Sequence, residues 1–187
     1  MADAISRLIS ELQTVLPTVC GEARAQWNSK LPFTRAVIRD HIAKTLPDLR
    51  PEDMQMLADL KEPPRPFHWS VSVSHCPSLG GWIAAPRPAQ IGFDVELKSR
   101  IQLDIVQRVS TSDELERAPE ASFLWVAKEA FFKALEDEQP QVLSQVTILD
   151  WRALNDGLWS WQGVGAHNGT GFLVTTPTEL IAGALII

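Results

Sequence analysis

The sequence predicts an α+β protein in which helices followed by strands occur twice along the chain. Apolar residues recur at helical spacing in the first third, then alternate with small polar residues from Trp69 onward. Helical spacing returns at Leu103, and a strand-rich tail punctuated by glycine and proline closes the chain. A doubly wound parallel sheet would alternate strand and helix throughout instead.

Each element has its own warrant. Ile5, Leu8, Ile9, Leu12, Val15 and Leu16 form one apolar stripe, and Pro17 ends that first helix. A second helix starts near Pro32, a residue suited to a first turn, and runs through Val37, Ile38 and Ile42 to Pro47. A shorter one covers Glu52 to Leu60. Lys61 to Pro66, with three prolines in six residues, forms a stiff extended linker. Trp69, Val71 and Val73 then alternate with Ser70, Ser72 and Ser74, a strand with one apolar and one small polar face. Gly80-Gly81 is the expected turn, Trp82 to Ala85 a second strand, and Gln90 to Glu96 a third. Helices are expected over Leu103–Val109, Thr111–Arg117 and Ser122–Glu136. Strands are expected over Val142–Trp151, Leu158–Val164, Gly171–Thr176 and Glu179–Ile186. The dividing line near Ala85 to Ala89 separates an N-terminal half, 1–88, from a C-terminal half, 89–187.

Bulk properties narrow the function. A chain of 187 residues with 45% apolar and 21% charged residues can fill a core as one domain or two small ones. Its net charge of −6 argues against a nucleic-acid partner, which normally meets a basic face. Cys20 and Cys76 lack framework spacing and read as free thiols of a reducing compartment. The start of the chain is amphipathic rather than signal-like, and no stretch approaches the roughly 20 apolar residues that span a bilayer. The expectation is a cytoplasmic protein without a membrane partner.

Two short stretches carry chemistry. In a strand over Ile91–Glu96, Asp94 and Glu96 leave the same face while Ile91, Phe93 and Val95 fill the other. Gly92 allows a backbone or ligand to come close. In a helix over Ser122–Glu136, Glu129 and Lys133 are neighbours at i and i+4. Each pair has a bland reading, a solvated strand face and a surface pair worth roughly 0.2–0.5 kcal/mol. Trp125 and Phe132, bulky and off the core stripe, argue instead for a lined pocket or a docked neighbour. Three carboxylates so placed suit Mg²⁺, which takes oxygen ligands and completes its shell with water and phosphates. Without a special turn, Ser74-His75-Cys76 cannot pair nucleophile with base, because adjacent side chains of extended chain point to opposite faces. His75 either donates to an anionic ligand or is a locally satisfied histidine. Glu114 fits a capping box with Thr111.

Ser74-His75, then Gly92-x-Asp94-x-Glu96, then Trp125-x-x-Lys128-Glu129-x-x-x-Lys133 resemble, in order and separation, the 4′-phosphopantetheinyl transferases. The Trp69–His75 stretch upstream and the length of the tail resemble the larger, surfactin-type branch, the strong part spanning residues 67 to 135. The resemblance implies two similar α+β halves in a pseudo-twofold arrangement with the site at their interface, in a monomer. It implies Mg²⁺-dependent transfer of the phosphopantetheine arm of coenzyme A to a serine of an apo acyl or peptidyl carrier protein, releasing adenosine 3′,5′-bisphosphate. By position, Asp94, Glu96 and Glu129 would hold the metal, and Lys133 would contact the pyrophosphate. Ser74 and His75 would bind coenzyme A phosphates, with Lys128 close by and Arg35 reaching the nucleotide. Glu114 matches the acid thought to activate the carrier serine, so that Glu114, Glu129 and Lys133 form the implied catalytic set. Arg65, or Lys61, stands in for the family's basic residue in a Gly-Lys-Pro stretch. Val126, Phe93 and the run Ala134-Leu135-Glu136-Asp137-Glu138 depart from the family pattern and bear on the carrier-facing loop. The rival readings are an inactive coenzyme A or carrier-binding module and a metal-dependent nucleotide pyrophosphatase.

Overall fold

The computed structural model describes residues 2–25, 27, 31–58, 66–135 and 142–187. Those residues form an α+β structure of six α-helices and two antiparallel sheets. In chain order the elements are α1 (Ala2–Val15), β1 (Cys20–Arg24), α2 (Leu31–Thr45), α3 (Pro51–Ala58), β2 (Trp69–His75), β3 (Gly80–Pro86) and β4 (Gln90–Leu97). Then follow α4 (Leu103–Val109), α5 (Ser112–Arg117), α6 (Ala121–Ala134), β5 (Thr147–Asn155), β6 (Leu158–Val164), β7 (Asn168–Thr175) and β8 (Glu179–Ile186). The expected helix ends at Leu60 and Glu136, the run Glu136–Glu138 and the linker from Lys61 to Arg65 lie outside the described residues.

The first sheet has the order β1-β3-β2 and the second β4-β8-β7-β6-β5. Helix α1 lays Leu8 and Leu12 on a core that includes Ile83 and Ala85 of the first sheet and Ile91, Phe93, Val174 and Ile181 of the second. Residue 88 therefore separates two sheets but not two cores. The other face of the first sheet packs Trp82 and Ala84 against Ile38 and Ile42 of α2. The other face of the second sheet packs Leu180, Ala182 and Ala184 against Ala127, Ala130 and Phe131 of α6.

Two expectations need correction. Gly80-Gly81 is not a turn: both residues lie in β3, and Cys76 N donates to Leu79 O (2.7 Å) in the turn before them. The glycines admit a neighbour. A Cβ on Gly80 would lie 2.2 Å from Trp27 O, and one on Gly81 would lie 2.4 Å from the Ala23 Cβ. For Gly80 that neighbour is Trp27, beyond the end of β1, and for Gly81 it is β1 itself, paired with β3 from Cys20↔Ala84 to Arg24↔Gly80. Its sequence Cys-Gly-Glu-Ala-Arg has no β-branched or aromatic residue, so pairing alone makes it a strand. The strand expected from Val142 begins only at Thr147, because residues 143–145 form a 3₁₀ turn.

The polar face of β2 is its most buried one. Ser70 Oγ accepts from Ile91 N (3.0 Å), Ser72 Oγ from Phe93 N (2.8 Å) and Ser74 Oγ from Val95 N (3.3 Å). Strand β4 is an edge strand, and these are the amides that β8 does not use. Three hydroxyls satisfy them in place of a backbone ladder and join the two sheets. No helix among the described residues is long and apolar enough to cross a membrane.

Candidate functional site

The β2–β4 seam ends at Ser74 and Asp94, and α6 crosses the opposite side of β4. Gly92, Asp94 and Glu96 share the face turned to α6, with Ala184, Ala182 and Leu180 as their cross-strand neighbours on β8. The Gly92 position permits this contact: a Cβ there would lie 1.9 Å from Ala130 O and 2.5 Å from Ala134 N. The helix backbone thus rests directly on the strand, and Glu129 and Lys133 are delivered beside the strand's two acids.

The contacts at this junction are specific. Lys133 Nζ donates to Asp94 Oδ1 (2.7 Å) and to Ser74 Oγ (3.3 Å), and Ser74 Oγ donates to Asp94 Oδ1 (2.9 Å). Asp94 is 3% exposed. Its second oxygen, Oδ2, is buried with no hydrogen-bond partner among the described residues. Burial, then the Asp94 charge, pushes the Glu96 carboxyl above the usual carboxylate range, with Glu129 adding to the shift against Lys133 and Arg100. Burial and Asp94 also raise Glu129, against Lys133. The cluster is short of positive charge.

A cavity of about 340 Å³ opens beside these acids, lined by His75, Glu96, Arg100 and Gln102 and by an apolar wall of Ile101, Ile105 and Trp125. Trp125 lines this cavity and, like Phe132, also packs against the core under α6. Burial, then the charges of Arg35 and Lys133, holds the His75 imidazole below its ordinary value and hence neutral near pH 7. Arg35 and His75 of the first half thus face Lys133 of the second across one electrostatic neighbourhood. Arg65 and Lys61 lie outside the described residues.

Lys128 does not join this group. It is 0% exposed, its Nζ lies 2.7 Å from Glu114 Oε1, and it also donates to Val146 O. The placement beside coenzyme A implied by the resemblance is corrected: the ammonium is enclosed in the core between α5, α6 and β5. Glu114 is 2% exposed and makes the expected capping box with Thr111. Its carboxylate accepts from Thr111 N (2.9 Å), Thr111 Oγ1 (3.2 Å), Ile148 N (3.0 Å) and Lys128. Burial alone would raise that carboxyl, but the hydrogen bonds from Lys128, Thr111 and Ile148 pull it below the usual range. A carboxylate filled and enclosed in this way has no free lone pair to offer an incoming hydroxyl. Ser74 also differs from its implied role, since its hydroxyl is engaged with Asp94 rather than turned outward.

No family model matches the chain, and comparison with curated proteins gives no match.

Among the described residues no group of three His, Cys, Asp or Glu side chains is arranged to hold a metal ion, so the fit of the acid cluster to a divalent cation rests on the chemistry of its donors. The donors are all oxygen, one of them is buried and orphaned, and two carboxyls are raised by burial and then by the Asp94 charge. Such a set gains by taking up a hard ion. The lining residues Arg100, Ile101, Gln102 and Ile105 were not foreseen. Only the cationic pair Lys98 and Arg100, close after Glu96, hinted at them.

Proposed function

We propose that the chain is a Mg²⁺-dependent 4′-phosphopantetheinyl transferase acting on coenzyme A and the serine of an apo acyl or peptidyl carrier protein. The observation that carries the reading is the Ser74–Asp94–Lys133 contact with its orphaned Asp94 oxygen, flanked by the raised carboxyls of Glu96 and Glu129. Two halves in a pseudo-twofold arrangement belong to the same reading, supported by a helix-covered antiparallel sheet in each half.

Asp94, Glu96 and Glu129 would hold the ion, which when bound supplies charge neutralisation on the pyrophosphate. Lys133, 31% exposed at its side chain, can turn from Asp94 toward phosphate oxygens, where its positive charge offsets the charge that develops in the transfer. Arg35 and neutral His75 suit the nucleotide end, one by charge and the other by a donated ring N–H. The carrier's serine oxygen bonds to the phosphorus that bears the pantetheine arm. The bond from that phosphorus to the adenosine-side oxygen breaks, adenosine 3′,5′-bisphosphate leaves with the electron pair, and the serine's proton passes to solvent water. Positioning and electrostatics suffice for such a step, so no covalent enzyme intermediate is required. Glu114 serves here as a brace for α6 rather than as the proton acceptor.

The test is incubation with coenzyme A, Mg²⁺ and a panel of apo carriers, followed by mass spectrometry. A carrier heavier by one phosphopantetheine supports the reading. Breakdown of coenzyme A without carrier points to a pyrophosphatase, and tight coenzyme A binding without transfer points to an inactive binding module.

A further inference from the structure

Two turns 101 positions apart meet in a polar contact outside the acid cluster. Glu179, the first residue of β8, is 3% exposed, and its carboxylate accepts from Ser78 Oγ (2.7 Å), Thr176 Oγ1 (2.5 Å) and Thr178 Oγ1 (2.7 Å). Hydroxyls alone surround it in this set, and no salt bridge reaches it among the described residues. Ser78 belongs to the turn between β2 and β3, whereas Thr176 and Thr178 belong to the turn between β7 and β8. Ser78 Oγ also lies 3.3 Å from Cys76 Sγ, and Lys98 N donates to Thr178 O (3.0 Å). A buried carboxylate therefore ties the turn of one sheet to the end of the other.

The location gives this latch a consequence. His75 immediately precedes the latched turn, and Glu96 lies one position from Leu97, the cross-strand partner of Glu179. His75 and Glu96 line the same cavity. Beyond the seam made by Ser70, Ser72 and Ser74, the Glu179–Ser78 bond holds the spacing between these two side chains. Hydrogen bonds to an ionised group are the stronger kind, and the enclosed setting protects this one from water.

We propose that Glu179 is a positioning residue that, through Ser78, sets His75 against the cavity and so determines how well coenzyme A binds. The proposal deepens the transferase reading and rests on it for the identity of the ligand. Glu179 touches no substrate. It acts through the turn.

The experiment combines two readouts on Glu179→Gln and on Ser78→Ala, the second of which leaves the threonine bonds of Glu179 in place. The imidazole signals of the four histidines are followed by NMR, with His41 on α2, bound to Trp82 and Glu22, as the control. The His75 signal is expected to move in both variants while that of His41 stays. In transfer assays the KM for coenzyme A should rise about tenfold, the loss of one charge-assisted hydrogen bond, with kcat nearly unchanged. In a His75→Ala background, Glu179→Gln should add nothing further to KM. An unmoved His75 signal in folded Ser78→Ala, or KM effects that multiply across the double variant, would overturn the proposal. If His75 moves but the parent protein neither binds coenzyme A nor transfers its arm, the latch stands and the transferase reading falls.

Discussion

Substituting Gly92 by alanine tests how the site is assembled. The added methyl would lie 1.9 Å from Ala130 O, whereas ordinary van der Waals contact begins near 3.4 Å. Both opposing atoms, Ala130 O and Ala134 N, belong to the backbone of α6, so no side chain can rotate out of the way. The helix must retreat by the difference, about 1.5 Å, carrying Glu129 and Lys133 with it. The Lys133–Asp94 contact of 2.7 Å cannot survive such a shift unstretched. Metal sites tolerate about 0.2 Å in their ligand distances, and a misplacement of about 1 Å costs on the order of 100-fold in rate. Overpacking of this kind also costs about 1–3 kcal/mol of stability. Gly92→Ala should therefore remain folded, unfold at a lower urea midpoint, and lose at least about 100-fold of its transfer rate to an apo carrier. A folded variant that keeps its activity within about threefold of the parent would refute the reasoning, because α6 would then not be what places Glu129 and Lys133.

Glu129→Gln removes a raised carboxyl from the acid cluster, so without metal it should melt a few degrees higher at pH 7, about 1 kcal/mol, and lose the stabilisation that Mg²⁺ gives the parent in calorimetry. Lys128→Met strands the buried Glu114 charge and should cost about 3–5 kcal/mol in urea unfolding, most of it recovered when Glu114→Gln is added. Stability should also depend on pH with a definite sign. Glu114 and Glu179 have carboxyls held below their unfolded values by the hydrogen bonds they accept, so their contributions are full above the ordinary carboxylate range, near pH 4, and are lost as pH falls through the lower folded values. Glu96 and Glu129 act oppositely, so folding should strengthen slightly as pH falls through their raised values before it weakens; Glu129→Gln should blunt that rise in a urea titration.

What the sequence disclosed depended on local signals. Strands β2 and β4 were legible because Trp69–Ser74 and Ile91–Glu96 alternate at period 2, and α6 because its apolar arc recurs at helical spacing. The same patterns put Asp94, Glu96, Glu129 and Lys133 on the correct faces. Strand β1 was invisible because its five residues carry no propensity of their own. Gly80 and Gly81 were misassigned because a glycine pair signals a turn locally, whereas its use here is to let Trp27 and β1 approach. Lys128 could not be placed from its motif. Its partner Glu114 is fourteen positions away on another helix, and only packing reveals that the two charges enclose each other. Glu179 was read simply as the start of a strand, since its partner Ser78 lies 101 positions upstream.

The three serines of β2 give the junction of the sheets a particular mechanical character. A carbonyl in a ladder accepts along a fixed direction, but a hydroxyl on a rotatable side chain follows its donor through a small change of angle. The union between the sheets is thus made by rotatable side chains rather than by a backbone ladder, and its last hydroxyl, that of Ser74, also donates to Asp94.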